Sequence, residues 1–135
     1  MRKVEIISIG KNKEAWLQEA LAEYEKRLSK VVQIEWTFLR TLDKISPPFI
    51  ALDPAGELVS SEALSRKLIH LFDAHDSRLR FIIGGAEGLP PDLCKKSLWK
   101  WSLSPLTFTH QMTRLLLLEQ LYRSFSIDAG SHYHK

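Results

Sequence analysis

The feature that most constrains this chain is an apolar run that ends abruptly in glycine. Phe81-Ile82-Ile83 passes without a polar residue into Gly84-Gly85-Ala86-Glu87-Gly88. Such a run reads as a buried strand leaving its sheet through a tight turn. A Ser/Leu/Pro/Thr loop and a long apolar helix follow shortly after. Strand end, glycine turn, second strand end and helix start are the parts with which α/β proteins hold a small ligand at the carboxyl edge of a sheet.

The rest of the chain repeats that alternation. Val4, Ile6, Ile7 and Ile9 make Lys3 to Ile9 a buried strand stopped by Gly10. Asn12 stands where it can cap a helix in which Trp16, Leu17, Ala20, Leu21, Tyr24 and Leu28 recur at helical steps. Val32, Ile34, Trp36 and Phe38 then alternate with Gln33, Glu35 and Thr37, a strand with one wetter face. A short polar link, Arg40 to Pro48, leads to a strand at Phe49 to Leu52 that ends at Asp53-Pro54-Ala55-Gly56. A helix starts at Ser60 or Ser61 and stops near Asp76. Strands at Leu79 to Ile83 and Leu98 to Leu103, then a helix from Met112 to Ile127, complete the order. The expectation is an α/β fold, a mostly parallel sheet flanked by helices, in a single three-layered domain over residues 1–135.

Composition narrows the partners only slightly. A net charge of +3, from 19 basic and 16 acidic residues, permits contact with nucleic acid without arguing for it. One cysteine, Cys94, excludes an internal disulfide, and its lysine-flanked helix makes it an inert thiol. Glu5 interrupts an amino-terminal apolar run too short to span a bilayer. A cytoplasmic protein with no membrane association is expected.

In the last helix, Leu115, Leu116, Leu117, Leu118, Leu121, Tyr122, Phe125 and Ile127 leave little of the circumference polar. A helix apolar on nearly every side must be covered from two directions. The expectation is a sheet on one face and the second subunit of a homodimer on the other, in preference to an extensively buried helix in a monomer.

For chemistry, the glycine cluster follows a strand but has neither the dinucleotide-binding nor the phosphate-loop spacing, so on spacing alone it makes a tight turn. The run Leu103-Ser104-Pro105-Leu106-Thr107-Phe108 supplies backbone donors, hydroxyls and apolar side chains that could surround a nucleoside. His110 and Arg114 lie one helical turn apart, as do Glu119 and Arg123, so each pair can share a face. The tail Tyr133-His134-Lys135 is cationic and aromatic, which suits stacking on an unpaired base. No metal site is expected, because no His/Cys set completes one.

These residues also resemble a known family. Ile82-Ile83-Gly84-Gly85-x-x-Gly88-Leu89, then Leu103-Ser104-x-x-Thr107-Phe108-x-His110-Gln111-Met112-x-Arg114, then Glu119-Gln120-x-Tyr122-Arg123 and the closing Tyr133-His134-Lys135 resemble the ribosomal RNA large-subunit methyltransferase H family of the SPOUT superfamily. The resemblance implies a SPOUT-type α/β knot with a carboxyl-terminal trefoil knot, a homodimer, and S-adenosylmethionine as methyl donor. It implies N3 of a pseudouridine in the helix-69 loop of bacterial 23S rRNA as acceptor, presented on the ribosome. The family's cofactor positions carry over to Leu52, Gly84, Leu103, Ser104, Pro105, Leu106, Thr107 and Phe108. Arg114, Arg123, Tyr133, His134 and Lys135 are candidates for contact with RNA, and Arg114, His110, Arg123 and His134 for catalysis. The competing reading is a non-catalytic RNA- or ribosome-binding module of the same fold. Gly84→Val is expected to crowd out the ligand and leave the fold intact.

Overall fold

A computed structural model of the chain describes residues 1–130. The elements run β1 (Arg2–Ile9), α1 (Ala15–Leu28), β2 (Val32–Leu39), β3 (Ile50–Glu57), α2 (Ser61–Ala74), β4 (Arg78–Ile83), α3 (Pro91–Lys96), β5 (Trp99–Trp101) and α4 (His110–Asp128). The strands form one sheet in the order β2-β1-β4-β3-β5, parallel at every pairing. The expected α/β architecture is present.

Strand periodicity divides the core between two faces. Val4, Ile6, Phe81 and Ile50 point toward the helices, where they meet Leu17, Leu68, Leu117 and Leu121. Ile7 and Ile82 point the other way, onto a smaller cluster with Leu42, Ile45, Phe49 and Leu93 from the 40–49 link and α3. The link is further tied down by Arg80, whose Nη1 donates to the Ser46 carbonyl at 2.6 Å while its Nε donates to Glu5 at 3.1 Å.

Helix α4 packs between α1 and α2. Tyr122 meets Tyr24 edge-on at 6.2 Å, and Phe125 lies 5.7 Å from Phe72. On the α2 side the buried Ser65 hydroxyl donates to the Ser124 carbonyl at 2.6 Å. No residue from Thr113 to Ile127 is fully exposed. Much of the cover that the apolar circumference demands therefore comes from within the chain. Each buried leucine here contributes on the order of 1.5–3 kcal/mol.

Three local expectations are corrected. Asn12 does not cap α1: the helix begins with Glu14 at the N-cap and no side-chain cap bond, and Asn12 Oδ1 instead accepts from Arg114 Nη1 at 2.5 Å. A charged donor takes the oxygen that a cap would have used. Trp16 is 51% exposed and lies outside the buried stripe of α1. Strand β3 does not stop at Leu52 but continues through Pro54 and Gly56 to Glu57. A bulge sets both Leu52 and Glu57 opposite Trp101, which absorbs the proline, while Gly56 lies so close to β5 that a Cβ would meet the Lys100 carbonyl carbon at 2.7 Å. Among the described residues, no helix is long and apolar enough to cross a membrane.

Candidate functional site

Three chain segments meet at the carboxyl edge of the sheet around a cavity of about 640 Å³. They are the end of β3 (Leu52 to Pro54), the turn after β4 (Ile83 to Gly88) and the connection from β5 into α4 (Leu103 to His110). The position follows from parallel topology, which brings successive strand ends to one side. The volume falls within the usual range for small-molecule sites.

Of the expected cofactor positions, Leu52, Gly84, Leu103, Ser104, Leu106, Thr107 and Phe108 all line this cavity, and Pro105 does not. Sequence reasoning missed Asp53, Glu87, Gln111 and Thr113, which also line it. Asp53 directly follows Leu52, so the strand-end rule applied one residue further would have included it. Its Oδ1 accepts from the Ala55 amide at 2.9 Å and its Oδ2 from the Cys94 thiol at 3.5 Å. Burial, followed by the Asp53 contact and charge, raises the Cys94 pKa, so the thiol stays protonated at neutral pH.

The glycine turn is a structural requirement before it is anything else. A Cβ on Gly84 would stand 2.6 Å from the Gly88 carbonyl carbon and 3.0 Å from the Leu89 nitrogen. Backbone fills the space that any side chain would need. Gly84→Val therefore disturbs the turn itself, contrary to the expectation that the fold would stay intact. Gly85 and Gly88 close the turn through an isolated antiparallel bridge, with the Gly88 amide donating to the Gly85 carbonyl at 3.0 Å.

Helix α4 starts at His110, earlier than its apolar periodicity suggests, because Thr109 caps it and its Oγ1 accepts from the Met112 amide at 3.2 Å. That start brings His110 into the cavity wall. Burial first, and then the charge of Arg114, lower the His110 pKa, with Glu14 acting in the opposite sense. The imidazole is accordingly neutral, and can accept a proton, at physiological pH.

Arg114 shares the His110 face of α4, as the spacing predicts, but is fully enclosed at 0% exposure. Its Nε donates to Ser8 Oγ at 3.0 Å, Nη2 to the Ile9 carbonyl at 2.5 Å, and Nη1 to the Lys11 carbonyl and Asn12 Oδ1. The Phe38 ring lies 5.1 Å away. Facing inward with these donors engaged, Arg114 is a structural clamp, and the expectation that it touches RNA does not survive its burial. Arg123 forms the expected pair with Glu119 at 3.2 Å. It lies thirteen residues beyond His110, roughly 20 Å along the helix axis, outside its own chain's cavity wall. The candidates Tyr133, His134 and Lys135 lie outside the described residues. Among the described residues, no group of three His, Cys, Asp or Glu side chains could hold a metal ion.

Fold and cavity together define a parallel α/β protein with a glycine-turn ligand pocket at the carboxyl edge of its sheet. The family model for predicted SPOUT methyltransferases matches residues 40–134. The chain is 45% identical over 147 aligned residues to the ribosomal RNA large subunit methyltransferase H of Protochlamydia amoebophila, with both chains covered in full. It is 36% identical to the protein of the same name from Acetivibrio thermocellus, covering 98% of this chain and 99% of the other. The Prochlorococcus marinus (strain NATL2A) protein of that name is 39% identical, with coverage of 96% and 94%. The chain belongs to the ribosomal RNA large subunit methyltransferase H family of SPOUT methyltransferases. A solved structure described as a probable methylase family protein from Haemophilus influenzae Rd KW20 aligns at a TM-score of 0.61 and 12% identity. That alignment covers 98% of this chain and 70% of the other, and it attests the fold alone.

Proposed function

We propose that this chain is an S-adenosylmethionine-dependent methyltransferase of large-subunit ribosomal RNA, acting in the bacterial cytoplasm at N3 of a pseudouridine in the helix-69 loop. Residues 1–135 form its single catalytic domain, and the ribosome presents the substrate. The knot and homodimer implied by the family belong to the same reading.

The observation that carries the proposal is the cavity wall. Leu52, Leu103 and Phe108 offer apolar surface, Ser104 and Thr107 offer hydroxyls, and the described wall contains two carboxylates but no lysine or arginine. A cationic nucleoside meets no like charge there. S-adenosylmethionine, when bound, supplies a methyl group already activated on its sulfonium. The chain's own part is to hold the ligand in place, exclude water and prepare the acceptor. N3 of the acceptor must lose its proton, and His110 is the wall residue that its lowered pKa leaves neutral and able to accept one. His110 therefore takes that proton and passes it to solvent.

Exposed apolar side chains, one of them in the cavity wall, support the dimer. Leu58, Leu106 and Met112 are exposed. A shallow second depression beside the cavity is lined by Val59, Trp101 and Leu116. In a dimer the Tyr133-His134-Lys135 tail and Arg123 of one subunit complete the site of the other, which gives Arg123 the role that its distance from its own cavity denies it.

The deciding experiment is transfer of a labelled methyl group onto ribosomes lacking this modification, with mapping of the labelled base. Label on a different nucleotide rejects the acceptor, and no transfer together with no calorimetric binding of S-adenosylmethionine leaves the binding-module reading.

A further inference from the structure

We infer that the β1–α1 loop, residues 10–14, and the exposed Trp16 beyond it form a preorganised docking ridge for RNA beside the cavity. Lys11 and Lys13 grip the phosphate backbone and Trp16 stacks on an unpaired base. The inference rests on the RNA-methylation reading above and adds the surface that holds the substrate.

Its starting point is the cost of Arg114. A fully buried cation loses its hydration, and none of its hydrogen bonds goes to a carboxylate. Such burial is tolerated only where the donors are all put to use, and here they are spent on one loop. What only arginine provides is a fork that fixes Ile9, Lys11 and Asn12 at once. Two further bonds hold the same loop: the Gly10 amide donates to the Leu39 carbonyl at 3.2 Å, and Gln18 Nε2 donates to the Asn12 carbonyl at 2.7 Å. A short surface loop is thus clamped from below and from both ends.

The side chains that this clamp presents are those an RNA ligand requires. Lys11 and Lys13 are exposed, and so is Arg40, one residue past the Leu39 carbonyl that holds Gly10. Glu14, the acid of the loop, is only partly exposed; its Oε2 is buried, and its charge acts inward on His110 and Arg114. Of the four tryptophans, Trp99 and Trp101 are buried, and Trp36 is part-buried with its indole nitrogen bonded to Glu25 at 3.1 Å. Trp16 remains open, and aromatic faces stack on bases of any identity. The ridge adjoins the reaction centre: a Cβ on Gly10 would lie 3.8 Å from both His110 Nε2 and Arg114 Nη2.

The test uses the full-length protein, a helix-69 hairpin RNA and ribosomes lacking the modification. Trp16→Ala is expected to weaken hairpin binding roughly 5- to 150-fold. Lys11→Glu with Lys13→Glu should weaken it further and lower the salt slope by about one for each lysine replaced. Hairpin binding should quench the fluorescence of the wild type much more than that of Trp16→Ala. With ribosomes, the variants should raise KM and leave kcat and S-adenosylmethionine affinity unchanged. Wild-type hairpin affinity and KM in both variants overturn the ridge while leaving the methyltransferase reading intact. No methyl transfer by the wild type overturns that reading instead, and hairpin binding that is absent or insensitive to these substitutions overturns the ridge in that case too.

Discussion

Helix α4 carries two arginines nine residues apart in very different surroundings. Near its start, at the carboxyl edge of the sheet, Arg114 is completely enclosed and binds backbone carbonyls, a serine and an asparagine. Near its end, Arg123 is part-exposed and pairs with Glu119 one turn back. The first arrangement orders a loop from another part of the chain, whereas the second is a local helix pair of the kind that contributes a few tenths of a kcal/mol. The difference teaches that two cations on one helix can carry unequal weight: the one tied to a distant loop has little slack, while the one paired within the helix tolerates change.

Substitutions at the two ends put that contrast at risk. The largest effect is expected from Arg114→Met, which leaves the Ile9 and Lys11 carbonyls without their donor; we expect a loss of about 3–5 kcal/mol in urea unfolding. A loss no larger than that of Arg123→Ala would abolish the contrast. Next comes Gly84→Ala, expected to cost about 1–3 kcal/mol because backbone occupies the Cβ position. Gly85→Ala should be nearly neutral by the same measurement, since its Cβ would find the Ile9 side chain at an ordinary 3.6 Å.

A smaller effect is expected with pH. The folded-state pKa of His110 lies below its ordinary value of 6.5, so the unfolded chain binds the proton more readily. The stability linked to His110 is therefore present above that value and lost as pH falls through the window between the ordinary and the lowered pKa. The acid limb of kcat/KM should inflect below 6.5 as well, and His110→Asn should remove it. The smallest expected change is that of Arg123→Ala, within about 0.5 kcal/mol of wild type in unfolding. If Arg123 serves a partner's cavity, the same variant loses methyl transfer while remaining folded, and wild-type turnover would remove it from the site.

Much of the fold could be read from local patterns. The alternation of β2 and the glycine stop after β4 depend on neighbours a few residues away, and both lie close to their expected positions. Seven cavity residues came from the family resemblance, and the strand ends and the loop into α4 pointed to the same segments without singling out each residue. What was hidden depends on partners distant in sequence. Arg114 contacts Ser8 across 106 positions, and no local pattern distinguishes that clamp from a surface cation. Asn12 has good capping chemistry, and only the arrival of Arg114 diverts its side chain. Gly56 and the extension of β3 likewise depend on the approach of β5.

The wedging of α4 between α1 and α2 also bears on how the chain matures. During synthesis every strand leaves the translating ribosome before α4 does, so the apolar side of the nascent sheet waits for the last helix described here. Until α4 docks, Ser8 lacks its guanidinium partner and the β1–α1 loop has no anchor beneath it. The cavity and the loop beside it would on this account take their final form only after α4 has been made and docked.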